Sequence, residues 1–158
     1  MSKEFNAETQ RRREREGRHE NDVSREIIGA AIEVHREIGP GLVESIYEAA
    51  LCHELHLRGL NFVRQQSVPI SYKGVQLATD LRLDLLIEGK VIVDLKAKEN
   101  LSAIDKPILL TYLRLLNLHL GLLINFHTAV LKEGIFRVVN NLAAPPATED
   151  GDAPDLRG

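Results

Sequence analysis

Two acids and a lysine set among apolar residues are what point to chemistry in this 158-residue chain. In Val91-Ile92-Val93-Asp94-Leu95-Lys96, Asp94 and Lys96 stand two apart in a run that otherwise reads as a buried strand. Period-two geometry puts both side chains on one face. An ionised group there costs several kcal/mol unless it is paired, bound to a metal or working. A second acid, Asp84, occupies the equally apolar stretch Leu81-Arg82-Leu83-Asp84-Leu85-Leu86-Ile87, and only Glu88-Gly89-Lys90 separates the two. An acid in one strand and acid-x-Lys in the next suit magnesium-dependent hydrolysis of a phosphodiester. Acid-x-Lys recurs at Glu88/Lys90, where a polar turn explains it, so the apolar surroundings of Asp94 carry the signal. A three-residue loop at 88–90 sets Asp84 opposite Asp94 on one face. An even-length loop would put them on opposite faces and remove the site.

Glu44 is the third candidate, just after Gly39-Pro40-Gly41 and in the first turn of a helix. The helix dipole alone favours an acid there. Spacing leaves that role and a metal-facing role equally open. Together, Glu44, Asp84 and Asp94 would suit a hard, oxygen-seeking cation such as Mg²⁺ or Mn²⁺.

The elements that must position these residues follow from periodicity. Ile27, Ala31, Val34 and Ile38 mark one helical face, with Asp22 or Ser24 as N-cap. A second helix spans about 42–58, burying Ile46, Tyr47, Ala50, Leu51 and Leu55 before Gly59 stops it. Residues 61–72 read as one strand that turns at Lys73-Gly74, and the strands of Asp84 and Asp94 complete a meander. With Asp105 as N-cap, Pro107 falls in the first turn of a helix at about 106–117, where proline is tolerated. Leu118–Phe126 is an apolar run of strand length, and Gly134–Val139 a short last strand. The expected class is α/β, a mixed sheet flanked by helices.

Ile38-Gly39-Pro40-Gly41-Leu42-Val43-Glu44-Ser45-Ile46-Tyr47 resembles the signature of the GxxExxY proteins, with Gly41, Glu44 and Tyr47 as its named letters. The resemblance continues through Leu57-Arg58-Gly59-Leu60 and both acid-bearing strands to Leu120-Gly121-Leu122-Leu123-Ile124-Asn125-Phe126, covering about residues 22–140. That family is assigned to the PD-(D/E)XK nuclease superfamily, which implies a restriction-endonuclease-like core. The resemblance implies Asp84 and Asp94 as metal ligands, with Glu44 assisting directly or through water. It implies that Lys96 orients or activates the attacking water, or stabilises transition-state charge. The apo carboxylate cluster should then show raised pKa values. Two positions depart from the pattern. Ile108, in Asp105-Lys106-Pro107-Ile108, stands where relatives carry a Gln that helps position the site, and Asp94 stands for the commoner Glu.

Other candidates are weaker. Cys52, His53 and His56 lack a second ligand pair for zinc and read as helix-surface residues. His35 reads as a helix-face residue, and His119 and His127 as rim residues of the apolar strand. Seven aromatics and no Trp supply no base-stacking platform.

Composition sets the outer limits. Residues 1–18 carry six Lys/Arg and four Asp/Glu, including Arg11-Arg12-Arg13, and residues 141–158 carry one Arg and four acids. The 13 basic and 15 acidic residues between them make a mildly acidic core, poorly suited to tight non-specific DNA binding. The expected organisation is a charged, disordered arm at 1–21, a single domain at 22–140 and an acidic disordered tail at 141–158. One cysteine and no apolar run of membrane length fit a cytoplasmic protein. Two functions stay open: a Mg²⁺-dependent nuclease acting on DNA or RNA, and a nuclease-fold interaction or scaffold protein that no longer cleaves. The Leu-rich stretch Leu109-Leu110-Leu113-Leu115-Leu116 favours the second, and would also serve a homodimer contact.

Overall fold

A computed structural model describes residues 6–10 and 17–145. The Arg11–Arg13 run and the tail beyond residue 145 lie outside them, as does most of the expected arm. After a helical segment at 6–10, α1 (Glu20–Ile38) and α2 (Glu44–Leu57) precede β1 (Phe62–Ser67), a hairpin of β2 (Ile70–Tyr72) and β3 (Val75–Leu77), and the pair β4 (Arg82–Ile87) and β5 (Val91–Lys96). Helix α3 (Asp105–Leu116), β6 (Leu120–Asn125), a 3₁₀ turn (Leu131–Gly134) and β7 (Ile135–Val139) complete the chain.

The main sheet has the order β1-β4-β5-β6-β7, with β5 and β6 parallel and every other pair antiparallel. A parallel pair needs a crossover, and α3 provides it. Alternation along the strands splits the core. Leu85, Ile87, Val91, Val93 and Leu95 pack with Val23, Ile27, Leu51 and Leu55 of α1 and α2, whereas Ile92 and Leu123 pack with Leu109 and Leu113 of α3. Strand β6 is buried at all six positions, as expected of a strand covered on both faces. Gly121 lets α3 lie directly on it, since a Cβ there would stand 2.9 Å from the Leu109 side chain. The architecture is the mixed, helix-flanked sheet that the sequence predicts.

Several boundaries move. α1 starts earlier than Asp22 or Ser24 would allow, because His19 is the cap and its Nδ1 accepts the Asn21 N–H at 3.0 Å. α2 begins at Glu44, and its inward stripe is Tyr47, Leu51 and Leu55, spaced by four. Ile46 lies off that stripe and is 45% exposed, against the expectation that it is buried. Residues 61–72 are two strands, not one. Pro69 has no N–H to give a ladder, and Lys73 and Gly74, both at positive φ, fold β2 and β3 into their own hairpin. Pro107 does fall in the first turn of α3. The leucine surplus largely disappears: Leu109 and Leu113 are fully buried, Leu110 and Leu116 half-buried, and only Leu115 is exposed. Cys52 is buried rather than on the surface.

Candidate active site

The connection between β4 and β5 is the three-residue turn Glu88-Gly89-Lys90, closed by the Lys90 N–H donating to the Ile87 carbonyl at 3.0 Å. Pairing then runs Ile87↔Val91, Leu86↔Ile92 and Leu85↔Val93. The next position in that register sets Asp84 against Asp94, and there the backbone ladder stops. The Leu95 N–H donates instead to Asp84 Oδ2 at 2.8 Å. A side-chain carboxylate has taken a strand's place. Beyond it β4 stays with β1 as far as Ser67↔Arg82, and β5 stays with β6 as far as Lys96↔Asn125. The acid pair therefore sits where two strands part.

The parting opens a cleft of about 200 Å³. Asp84, Asp94 and Lys96 line it, with Glu44 from α2 on one side and Asp105, Ile108 and Tyr112 from α3 on the other. All four candidate residues thus face one space. Glu44 is exposed at the rim, and two contacts fix its helix. Glu48, one turn on, accepts from Arg64 at 3.1 Å and Gln65 at 2.8 Å of β1. The Tyr47 hydroxyl donates to the Gly39 carbonyl at 2.6 Å and accepts from the Leu42 N–H at 3.1 Å, while its ring stacks on Phe126 with centroids 4.4 Å apart. Gly41, at φ 95°, adopts a backbone that other residues rarely take. A pinned loop thus delivers Glu44 to the cleft.

The electrostatics are those of crowded acids. Asp94 is pushed up to about 7, first by burial and then by its hydrogen bond with Asp84 and the charges of Asp84 and Glu44, against the opposing pull of Lys96. Partial burial and then Asp84 also raise the Glu44 carboxyl. Lys96 Nζ lies 3.6 Å from Asp94 Oδ1, an ion pair too long to be a good hydrogen bond. Burial works against the Lys96 charge, yet Asp94, Glu44, Asp105 and Asp84 prevail and raise it, so it stays an ammonium. Burial raises the Tyr112 phenol, aided by Asp94.

A second pair braces the site. Lys98 Nζ meets Asp105 at 2.7 Å, and the Ser102 N–H donates to the same carboxylate at 2.6 Å. Burial alone would raise Asp105, but these partners hold it below the usual carboxylate range. The buried Asn125 amide grips the backbone of residue 98, donating to its carbonyl at 2.8 Å and accepting its N–H at 3.2 Å. That bond pair carries the β5–β6 register past the end of the strand and holds Lys96 in place.

Sequence reasoning missed Arg82, Asp105, Tyr112 and Asn125 as residues of this site. Signals were available for three: Arg82 is two before Asp84, Tyr112 is one helical turn after Ile108, and Asn125 is the polar end of an apolar run. The histidines lie elsewhere. His35 Nε2 contacts the Thr128 carbonyl and His119 Nδ1 the Asn140 carbonyl, each at 2.8 Å, while His53, His56 and His127 are exposed.

The donor chemistry fits a hard divalent ion. No thiol or imidazole lines the cleft, and Asp94, whose carboxyl burial pushes up, would give up its proton to a bound cation. Among the described residues no three His, Cys, Asp or Glu side chains are grouped to hold an ion unaided. Mg²⁺ ordinarily takes one or two carboxylates and completes its shell with water and substrate phosphate.

No helix among the described residues is long and apolar enough to cross a membrane. No curated protein and no solved structure shows significant similarity to the chain. A family model does, that of the PD-(D/E)XK nuclease superfamily, and it matches residues 21–138. That span takes in both helices before the sheet, the acid-bearing strands, α3 and β6, and its restriction-endonuclease-like core is the mixed sheet described above. The chain belongs to the PD-(D/E)XK nuclease superfamily.

Proposed function

We propose that this protein is a divalent-metal-dependent nuclease of the GxxExxY type that hydrolyses phosphodiester bonds in DNA or RNA. The observation that carries the reading is the acid pair at the strand fork, with Lys96 on the same face and 3.6 Å from Asp94. Burying such a cluster destabilises the fold unless it does something. The pinned loop before Glu44 supports the GxxExxY assignment, because Gly41, Glu44 and Tyr47 act there as one unit.

Asp84 and Asp94 would hold Mg²⁺ or Mn²⁺, with Glu44 reaching the ion directly or through water. Such an ion, when bound, neutralises phosphate charge and acidifies a water molecule. The chain's own groups do the rest. Lys96, kept protonated by its acidic neighbours, has N–H donors to orient the attacking water and to meet negative charge growing on the phosphoryl oxygens. The bond from the Leu95 N–H fixes one Asp84 oxygen. Asp105 keeps Lys98 engaged, so Lys98 does not compete for the acid pair.

A second reading rests on Ile108, which puts an apolar side chain in the cleft. It makes the protein a nuclease-fold interaction or scaffold protein that does not cleave. Calorimetric titration of Mn²⁺ and Mg²⁺ into the parent, Asp84→Ala and Asp94→Ala separates the two. The nuclease reading expects binding in the parent and none in either variant, followed by cleavage of DNA or RNA that Lys96→Ala abolishes. No binding in the parent, with or without an oligonucleotide, would sink it in favour of the scaffold.

A further inference from the structure

Arg82 stands two residues before Asp84 on β4, and Lys96 two residues after Asp94 on β5, both beyond the point where the two strands part. Each parting strand thus carries an acid and, two residues away, a cation, and all four line one cleft. The two cations differ in their surroundings. Lys96 is paired with Asp94, and Lys98 with Asp105. Arg82 lines the same cleft, is exposed, and among the described residues makes no ion pair or side-chain hydrogen bond.

A guanidinium that faces solvent beside an acid-lined floor is open to an anion from outside. Its planar fork matches the oxygens of a phosphate two at a time. We propose that Arg82, on β4, seats a backbone phosphate of the substrate strand as it crosses this cleft. This rests on the nuclease reading and deepens it. One phosphate lies over the acid pair and its neighbour along the strand meets Arg82, so the cleft takes a polynucleotide backbone rather than a lone phosphate monoester. Arg82 is then a binding and positioning residue that sets the direction in which the strand lies across the site.

The test is binding of fluorescein-labelled single-stranded and duplex oligonucleotides to the parent, Arg82→Ala and Arg82→Lys. It is made in Ca²⁺ across a salt series, with Mn²⁺ titration of each protein alongside. Arg82→Ala is expected to bind Mn²⁺ like the parent, to bind oligonucleotide about ten-fold more weakly, and to flatten the log–log salt slope by about 0.7–0.9, one phosphate's worth. Arg82→Lys should restore the slope but not the full affinity, because an ammonium is a point charge. Unchanged affinity and slope in Arg82→Ala overturn the proposal. Should that variant fail to fold, an Arg82→Lys protein equal to the parent in affinity overturns it as well. If the parent binds Mn²⁺ but no oligonucleotide, the nuclease reading itself falls, an outcome distinct from failure at Arg82 alone.

Discussion

At the residue scale, Asp94 is the group whose state decides how the site behaves. Its carboxyl is raised to about 7 in the fold, above the ~3.9 of an unfolded aspartate. The folded state therefore binds this proton more tightly than the unfolded state. The stability that it confers is complete below about pH 4 and is lost as pH rises towards 7, by at most ~1.4 kcal/mol per pH unit. Asp94→Asn keeps the shape and removes the charge. In metal-free urea unfolding its advantage over the parent should be larger at pH 8 than at pH 5. A gap that does not widen with pH would show that Asp94 is already ionised in the fold. Ile108 belongs to the same scale: an apolar side chain in the cleft can position a substrate but cannot hold a water molecule.

At the element scale, the start of α2 is set by side chains that lie outside the helix's own hydrogen-bond pattern. Tyr47 ties the loop before Glu44 to itself from below, with its ring wedged on Phe126. Tyr47→Phe keeps the stack and removes two hydrogen bonds. Unfolding free energy should fall by about 1–2 kcal/mol, with Mn²⁺ affinity weakened less than in Asp84→Ala. A Mn²⁺ affinity identical to the parent's would mean that Glu44 does not depend on this loop. The sequence made the signature visible but not the hydroxyl bridge. The bridge joins residues five and eight apart through a turn whose shape depends on positive-φ glycines, and spacing does not report that. The three-residue turn was legible, because strand lengths and polar residues bounded it, and the opposition of Asp84 to Asp94 followed. The fork was not. A carboxylate that replaces a ladder bond leaves no mark in hydrophobic alternation. Nor was the break at Pro69, where exposed Tyr72, Val75 and Leu77 imitate the pattern of a core strand.

At the scale of the whole molecule, the layers were readable because each is written in its own period: helical spacing for α1, an unbroken apolar run for β6. Burial sorted the rest. Ile46 and the surplus leucines of α3 could not be placed without knowing which faces the sheet would cover. The contacts that close the domain join distant parts of the chain. His19 Nε2 meets the Ala143 carbonyl at 2.8 Å, Arg137 donates to Asn21, and Lys90 of the β4–β5 turn donates to the Arg18 carbonyl. The chain thus enters and leaves the domain at one place, the end of the β4–β5 hairpin remote from Asp84 and Asp94. A circular permutant, with the existing ends joined by a flexible linker and new ends in the exposed Lys73-Gly74 turn, should fold and bind Mn²⁺ as the parent does. Loss of cooperative unfolding in that permutant would show that the hairpin anchors the sheet. Seen as a mounting, the shared entry point sets His19 and Ala143 together at the end of the hairpin away from Asp84 and Asp94. A domain held at that one point presents its cleft on the far side.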